Sequence, residues 1–289
     1  MESPLQHRPG DELSALSDAQ YIAAWKQFAA KLPNGESAWL DGVTAISGGV
    51  PLNDFNLVVP DAHVASRDEI ERRIAAGANW IHARRLPWTL VLNLTAMPTN
   101  LRSEFDRPVF SLHDELLLDG ANRSPLRRLR FTLLRRETGM VADQPVAPNS
   151  HNHGLTFEPV RDSRTRRLIV EVNFRAYRER PPAGLFGLDD AAVWNEASYG
   201  VIGFAGREPV TSSAVFLLDG CFYVGWVATV PKHKRKGFAS AVMRESLAAA
   251  SRDHGWKRSV LHASTAGRGI YERMGFRAVA SHALYLSSA

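Results

Sequence analysis

The sequence predicts an α/β protein, with α and β elements on a mixed sheet, arranged in two parts. Three observations carry that expectation. Short apolar and β-branched runs alternate along the chain with stretches of helical period. Residues 227–239, V-A-T-V-P-K-H-K-R-K-G-F-A, break an apolar strand at a proline and pass through a basic turn into a helix. The 289 residues are long for one compact domain and suit two of ordinary size.

Composition narrows the class. Hydrophobic residues at 45% and charged residues at 22% are those of a chain able to bury a core, which excludes a disordered protein. Cys221 is the single cysteine, so no intramolecular disulfide forms. The opening M-E-S-P-L-Q-H-R-P-G lacks the apolar core of a signal peptide, and no run approaches the length of a membrane span. A cytoplasmic protein without a membrane partner is expected. The net charge of +5 comes partly from clusters at 127–136, 161–167 and 232–236. The last lies on the turn, and the others read as solvated faces, so nucleic acid is not expected as a partner.

In order, the first dozen residues read as a loose leader. Residues 19–30 carry helical period through Tyr21, Ile22, Trp25 and Phe28 and stop at Pro33-Asn34-Gly35. Residues 43–46 and 55–59 read as strands separated by S-G-G-V-P. Ser66 with Glu69 is a capping-box signal for a helix to about Ala76. Residues 80–83 and 88–94 read as further strands, giving α-β-β-α-β-β. Residues 109–118 and 129–134 are candidate strands. Residues 142–154, rich in Pro, Asn and His, read as a linker, which sets an N-terminal module at 1–150 and a second domain at 151–289. His151 and His153 have no cysteine or carboxylate beside them and read as solvated, so no metal is expected.

The second part begins with a strand at 155–159. Asp162 or Ser163 caps a helix with Leu168, Ile169, Val172 and Ala176 on its apolar face. A short helix at 189–197 and strands at 199–204, 211–218 and 221–230 follow, the last two joined by Asp219-Gly220, a strong hairpin signal. A helix with Ala239, Met243, Leu247 and Ala250 on one stripe ends at His254-Gly255. A strand at 259–263, a short helix to Met274 with Gly275 as its left-handed cap, and strands at 276–279 and 283–286 complete the chain.

The chemistry concentrates in the turn. Pro231 has no N–H to donate, Gly237 removes a Cβ where a ligand must approach, and a strand-to-helix turn gathers backbone N–H groups at a helix N-terminus. That geometry suits an anion, above all a pyrophosphate. No G-K-[ST] follows, so the turn is not a Walker A loop.

The turn resembles the acyl-CoA-binding motif of the GNAT superfamily of N-acetyltransferases, usually V-x-P-x-x-[RQ]-x-x-G-x-[GA]. Pro231, Gly237 and Ala239 are in register, Thr229 replaces the usual valine, and Lys234 stands where Arg or Gln is usual. One helix further on, L-H-A-S-T-A-G-R-G-I-Y-E-R-M-G-F at 261–276 resembles the family's second signature, a strand and short helix ending Y-x-x-x-G-F. The N-terminal module faintly resembles the degenerate first repeat of two-module members; lacking both signatures, it is expected to be catalytically silent.

The resemblance implies a GNAT acyl-CoA N-acyltransferase fold in the second part and direct acetyl transfer from acetyl-CoA to a primary amine of a small molecule or peptide, in a ternary complex. Val227, Ala228 and Thr229 would line the pantetheine. Lys234, Arg235, Lys236, Gly237, Phe238, Ala239 and Ser240 would hold the pyrophosphate, mainly through backbone N–H groups. Ser264 stands where many members have an asparagine contacting pantetheine or adenosine, and Gly267 where alanine is common. Arg268 and Arg273 could reach the adenosine 3′-phosphate, but on an exposed helix they read as solvated. Tyr271 matches the tyrosine that protonates the departing thiolate, with packing against CoA as the alternative. Glu171, Glu196 and His262 border the acceptor site in the family, but none is singled out as base, and a water chain would serve. Cys221 has no nearby histidine and reads as structural. A homodimer is allowed for. Two other readings stay open: an acyl-CoA-sensing regulator without turnover, and an aminoacyl-tRNA-dependent transferase.

Overall fold

The structure, a computed structural model, describes residues 9–61, 63–64, 66–112, 129–144, 154–178 and 193–288. The N-terminal side runs α1 (Pro9–Ala29), β1 (Glu36–Trp39), β2 (Val43–Ser47), β3 (Asn56–Pro60), α2 (Arg67–His82), β4 (Thr89–Asn93), α3 (Thr99–Phe105), β5 (Val109–Ser111) and β6 (Arg130–Ala142). The C-terminal side runs β7 (Leu155–Pro159), α4 (Ser163–Tyr177), β8 (Ser198–Ala205), β9 (Glu208–Leu218), β10 (Cys221–Thr229), α5 (Phe238–His254), β11 (Ser259–Ser264), α6 (Arg268–Arg273) and β12 (Arg277–Ser288).

Among the described residues twelve strands join one mixed sheet in the order β1-β2-β3-β4-β12-β6-β11-β10-β9-β8-β7, with β5 attached to β6. The two sides of the chain exchange strands at the centre. β6 pairs with β11 from Ser259↔Ala142 to Ser264↔Glu137, and β12 crosses over to pair with β4 from His282↔Asn93 to Leu286↔Thr89. Between them β6 and β12 pair along almost their whole length, Arg277↔Val141 to Ser288↔Arg130. The sheet is therefore continuous across residue 150.

Helices cover both faces. On one, α1 and α4 share a cluster in which Phe28, Ile169, Val170, Phe216 and Tyr223 are buried. On the other, α2 buries Ile70, Ile74, Ala78 and Ile81 against Val58, Leu90 and Tyr285, and α5 buries Met243, Leu247 and Ala250 against Val215, Phe222 and Leu261. α1 rests on β6 at Gly139, where a Cβ would overlap Ser17 Oγ and lie 3.0 Å from Ala280 Cβ. Only glycine permits that approach.

Local signals set several boundaries as expected. Ser66 Oγ accepts from the Glu69 N–H at 3.2 Å. Asp162 and Thr165 cap α4 reciprocally. Asp219 and Gly220 both have positive φ, 45° and 76°, as a two-residue hairpin requires. Gly275 has φ 88° after α6.

Other expectations are corrected. Helix α1 begins at Pro9, within the stretch read as a loose leader. Residues 80–83 are not a strand: α2 continues to His82 because Ala78 and Ile81 extend its buried stripe. The N-terminal order is thus α-β-β-β-α-β, with β1 as an unread edge strand. The strand at 129–134 runs on to Ala142. Residues 193–197, the described part of the helix read at 189–197, form turns. The two terminal strands are one, bulged between Ala278 and Ala280. The histidines at 151 and 153, and 113–118 of the strand read at 109–118, lie outside the described residues.

Candidate active site

The turn after β10 leaves a helix N-terminus without a cap. Pro231–His233 makes one 3-10 turn, Arg235 has φ 65°, and Gly237 has φ 78° as the N-cap of α5. No side chain caps the helix and no acidic residue occupies its first turn. The Phe238, Ala239 and Ser240 N–H groups precede the first i→i−4 bond, Ala241 N–H to Gly237 O at 3.1 Å, and are left for a ligand. The Ser240 hydroxyl folds back to donate to Gly237 O at 2.8 Å.

A cavity of about 830 Å³ opens over this turn, lined by Tyr177 and Arg178 from the end of α4 and by Lys232, Lys234, Arg235 and Lys236. Glu208 takes Lys232 at 2.8 Å and Arg175 at 2.9 Å. The Lys232 ammonium, and then Arg175, hold the Glu208 carboxyl below the usual carboxylate range. Among the described residues Lys234, Arg235 and Lys236 make no ion pair.

The adjoining strands part. β10 and β11 pair in parallel only at Phe222↔Ser259 and Tyr223↔Val260. β10 then bulges between Gly225 and Ala228, with Trp226 at φ 56°, while it stays paired to β9 as far as Thr229↔Thr211. The bulge bends β10 away, and β11 remains on β6. A slot results between residues 224–229 and 261–264, flanked by backbone that could bond an extended amide-bearing chain.

Val227 is half-buried on the α5 face of this slot. Ala228 and Thr229 are buried, and Thr229 Oγ1 is engaged by Thr211 Oγ1 at 2.9 Å, so these two offer the slot their backbone alone. Phe238 packs into the core with Val210 and Val230. Ser264 Oγ accepts from the Gly267 N–H at 3.2 Å at the open end of β11.

Tyr271 packs half-buried on the same apolar cluster as Val227, which places it on the α5 face. A Cβ on Gly267 would stand 3.2 Å from its ring, so glycine there keeps the ring seated. Burial, with Tyr177 as a lesser cause, pushes the phenol above its ordinary range; it holds its proton at any physiological pH.

The opposite face carries a polar group. His262 Nε2 lies 3.0 Å from Ser17 Oγ and Nδ1 3.4 Å from the Tyr223 hydroxyl. Burial, and then His282, push His262 well below the usual imidazole range, so it is neutral at pH 7. Glu171 and Glu196 are exposed on α4 and in the turn before β8. Arg268 and Arg273 are also apart, Arg268 paired to Glu272 at 2.7 Å on exposed α6. Burial raises the Cys221 thiol, which suits a structural residue. Tyr223 and Glu137 escaped the sequence reading: one reads as strand filler, and the other is brought beside β11 only by the pairing of β6. No group of His, Cys, Asp and Glu suited to a metal occurs among the described residues, and no described helix is long and apolar enough to cross a membrane.

The site is thus a strand parted from its parallel neighbour and leading into an uncapped helix behind a basic turn. The family model described as an acetyltransferase (GNAT) domain matches residues 220–279, which span both the turn and the Tyr271 helix. No curated protein matches the sequence. A GCN5-related N-acetyltransferase from Kribbella flavida superposes with TM-score 0.65 at 14% identity, covering 94% of this chain and 96% of its own. One from Sphaerobacter thermophilus gives 0.58 at 14%, covering 85% and 76%, and a GNAT-family protein from Novosphingobium aromaticivorans 0.51 at 13%, covering 92% and 97%. At such identities the likeness is one of fold, and it extends over both sides of the chain.

Proposed function

We propose that the protein transfers the acetyl group of acetyl-CoA directly to a primary amine of a small molecule or peptide. The observation that carries the reading is the uncapped N-terminus of α5, with Gly237 at φ 78° and unpaired Lys234, Arg235 and Lys236 before it. A pyrophosphate there meets helix N–H groups and three cations together. Pantetheine lies in the slot along Val227, Ala228 and Thr229, and Ser264 borders its far side. An amide of this exposed backbone holds the oxyanion as the amine adds, and donors fixed in advance where charge develops are the main source of rate in acyl transfer.

Tyr271 then gives its proton to the leaving thiolate. A phenol whose pKa is raised is a weak acid in the ground state, and its hydroxyl interacts most strongly when charge develops on sulfur. We assign residues 1–150 a supporting role in that site and residues 151–289 the cofactor. The test is calorimetry with acetyl-CoA followed by CoA release across an amine panel. Binding at one site per chain and amine-dependent release are expected; binding without release from any amine would favour the sensing regulator, and binding of aminoacyl-tRNA in place of acetyl-CoA the tRNA-dependent transferase.

A further inference from the structure

On the α1 face, one strand beyond β11 from the slot, stands Glu137, near enough that its charge acts on Tyr223 of β10 and Tyr21 of α1. This residue stands on β6 across from Ser264 at the open end of β11 and, on its other side, across from His282. Its carboxylate accepts from Arg135 Nε at 2.8 Å, and the same guanidinium donates to Asp54 at 2.9 Å. Two carboxylates share one cation, so one negative charge is left over among the described residues. The neighbouring Asp18–His282 pair, at 2.6 Å, supplies no spare cation wherever its proton lies. His262 is neutral, and Tyr21 and Tyr223 keep their protons, raised by burial first and then by the charge of Glu137. A net negative charge set partly out of water attracts a cation.

The surroundings are aromatic. Trp25, Phe55 and Trp226 are half-buried on this face; Trp25 lies 5.3 Å from Phe55 edge to face, and Phe28 bridges Trp25 at 5.7 Å to Trp226 at 6.1 Å. The Trp25 indole N–H and the Nδ1 atom of His282, a residue only 2% exposed, are buried without partners. Side-chain exposure rises from Glu137 at 14% through Arg135 at 34% to Asp54 at 44%, so the charge communicates with solvent past Asp54.

The geometry points to Glu137 as the residue that binds the acceptor's ammonium and takes its proton, and to an acceptor that is a cationic amine bearing a flat apolar group. This assignment rests on the acetyl-transfer reading above. Glu137 removes one proton from R–NH₃⁺, and the freed lone pair bonds to the thioester carbonyl carbon. The C–S bond breaks with its electron pair on sulfur, the thiolate takes the Tyr271 proton, and the proton shed by the new amide nitrogen restores the phenol. Protonated Glu137 returns its proton to water. The acid and the base thus stand on opposite faces of the sheet, and the base comes from the strand that crosses over from the N-terminal side.

The full-length protein is assayed with acetyl-CoA and 2-phenylethylamine, n-hexylamine or glutamate as acceptor. The order 2-phenylethylamine, hexylamine, glutamate is expected in kcat/KM. Glu137→Gln lowers kcat/KM by about 100-fold while acetyl-CoA affinity by calorimetry stays unchanged. The loss shrinks as pH rises toward the amine's own pKa, because a free amine needs no base; a merely structural defect would not recover. Glu137→Asp keeps the charge but shortens its reach, loses about tenfold, and carries the test if the Gln variant does not fold. A Gln variant within threefold of wild type, a loss that alkaline pH leaves untouched, or glutamate as the best acceptor overturns the assignment. If wild type binds no acetyl-CoA, the transfer reading falls and Glu137 with it; if wild type transfers and the variants fail these marks, Glu137 alone falls.

Discussion

Two strand–turn–helix units share this sheet, and they part company at the helix N-terminus. In both, a strand ending near a proline runs into a helix and then into a parallel neighbour that pairs over two residues, Leu57↔Thr89 and Val58↔Leu90 in one, Phe222↔Ser259 and Tyr223↔Val260 in the other. In the N-terminal unit Ser66 caps α2, and Asp68 and Glu69 fill its first turn. Arg73 reaches back to the Asp61 carbonyl at 2.7 Å and the His63 carbonyl at 3.2 Å, and His63 N–H donates to Asp61 Oδ1 at 2.9 Å. Among its described residues that turn is bonded from within, and its charge complements the helix dipole. In the C-terminal unit the cap is Gly237, no carboxylate enters the first turn, and three cations are unpaired among the described residues. The same strand–turn–helix arrangement is capped by its own side chains in one unit and uncapped in the other.

The sharpest way to break the contrast is at Tyr271, which has no counterpart in the N-terminal unit. Tyr271→Phe should lower kcat by roughly 10²-fold in single turnover while acetyl-CoA affinity changes little, since Phe keeps the ring and removes only the proton. A loss below about threefold would make the residue a packing group. Because the phenol is raised from its ordinary range, the acid is present below that raised value and lost above it. The wild-type rate should therefore show no fall from this group up to about pH 10.

Next in size is the proposed pyrophosphate site. Gly237→Glu forces a side chain and a negative charge onto a left-handed residue facing the anion, and acetyl-CoA binding should weaken at least tenfold, about 1.4 kcal/mol. Unchanged calorimetric affinity in the folded variant would falsify that site.

The smallest effect tests the capped unit. Ser66→Ala removes the cap of α2 and should lower stability by about 1 kcal/mol, read as a shift in denaturant midpoint, with acetyl-CoA affinity and its one-to-one stoichiometry unaltered. A second equivalent of acetyl-CoA on either protein would show that the N-terminal turn also takes a ligand.

What the sequence determined by itself is local. Pro231, Gly237 and the basic residues between them announce the turn, because proline ends pairing and glycine permits φ 78° whatever surrounds them. Asp219-Gly220 and the Asp162 cap are equally self-contained. The helix at 9–18 was illegible because its partners are remote. Ser14 and Asp18 bond to Asn93, Ser17 to His262 and Asp18 to His282, each distant in the chain, and a polar stretch whose bonds lie elsewhere looks like a leader. Trp80 and Ile81 suit a strand by propensity but lie in α2, where Ile81 is buried among Ile74, Leu90 and Tyr285. Only the tertiary structure could place β6 between β11 and β12. Strand pairing is chosen by which faces become buried together, and the register that brings Glu137 across from Ser264 is a property of three strands from both sides of the chain.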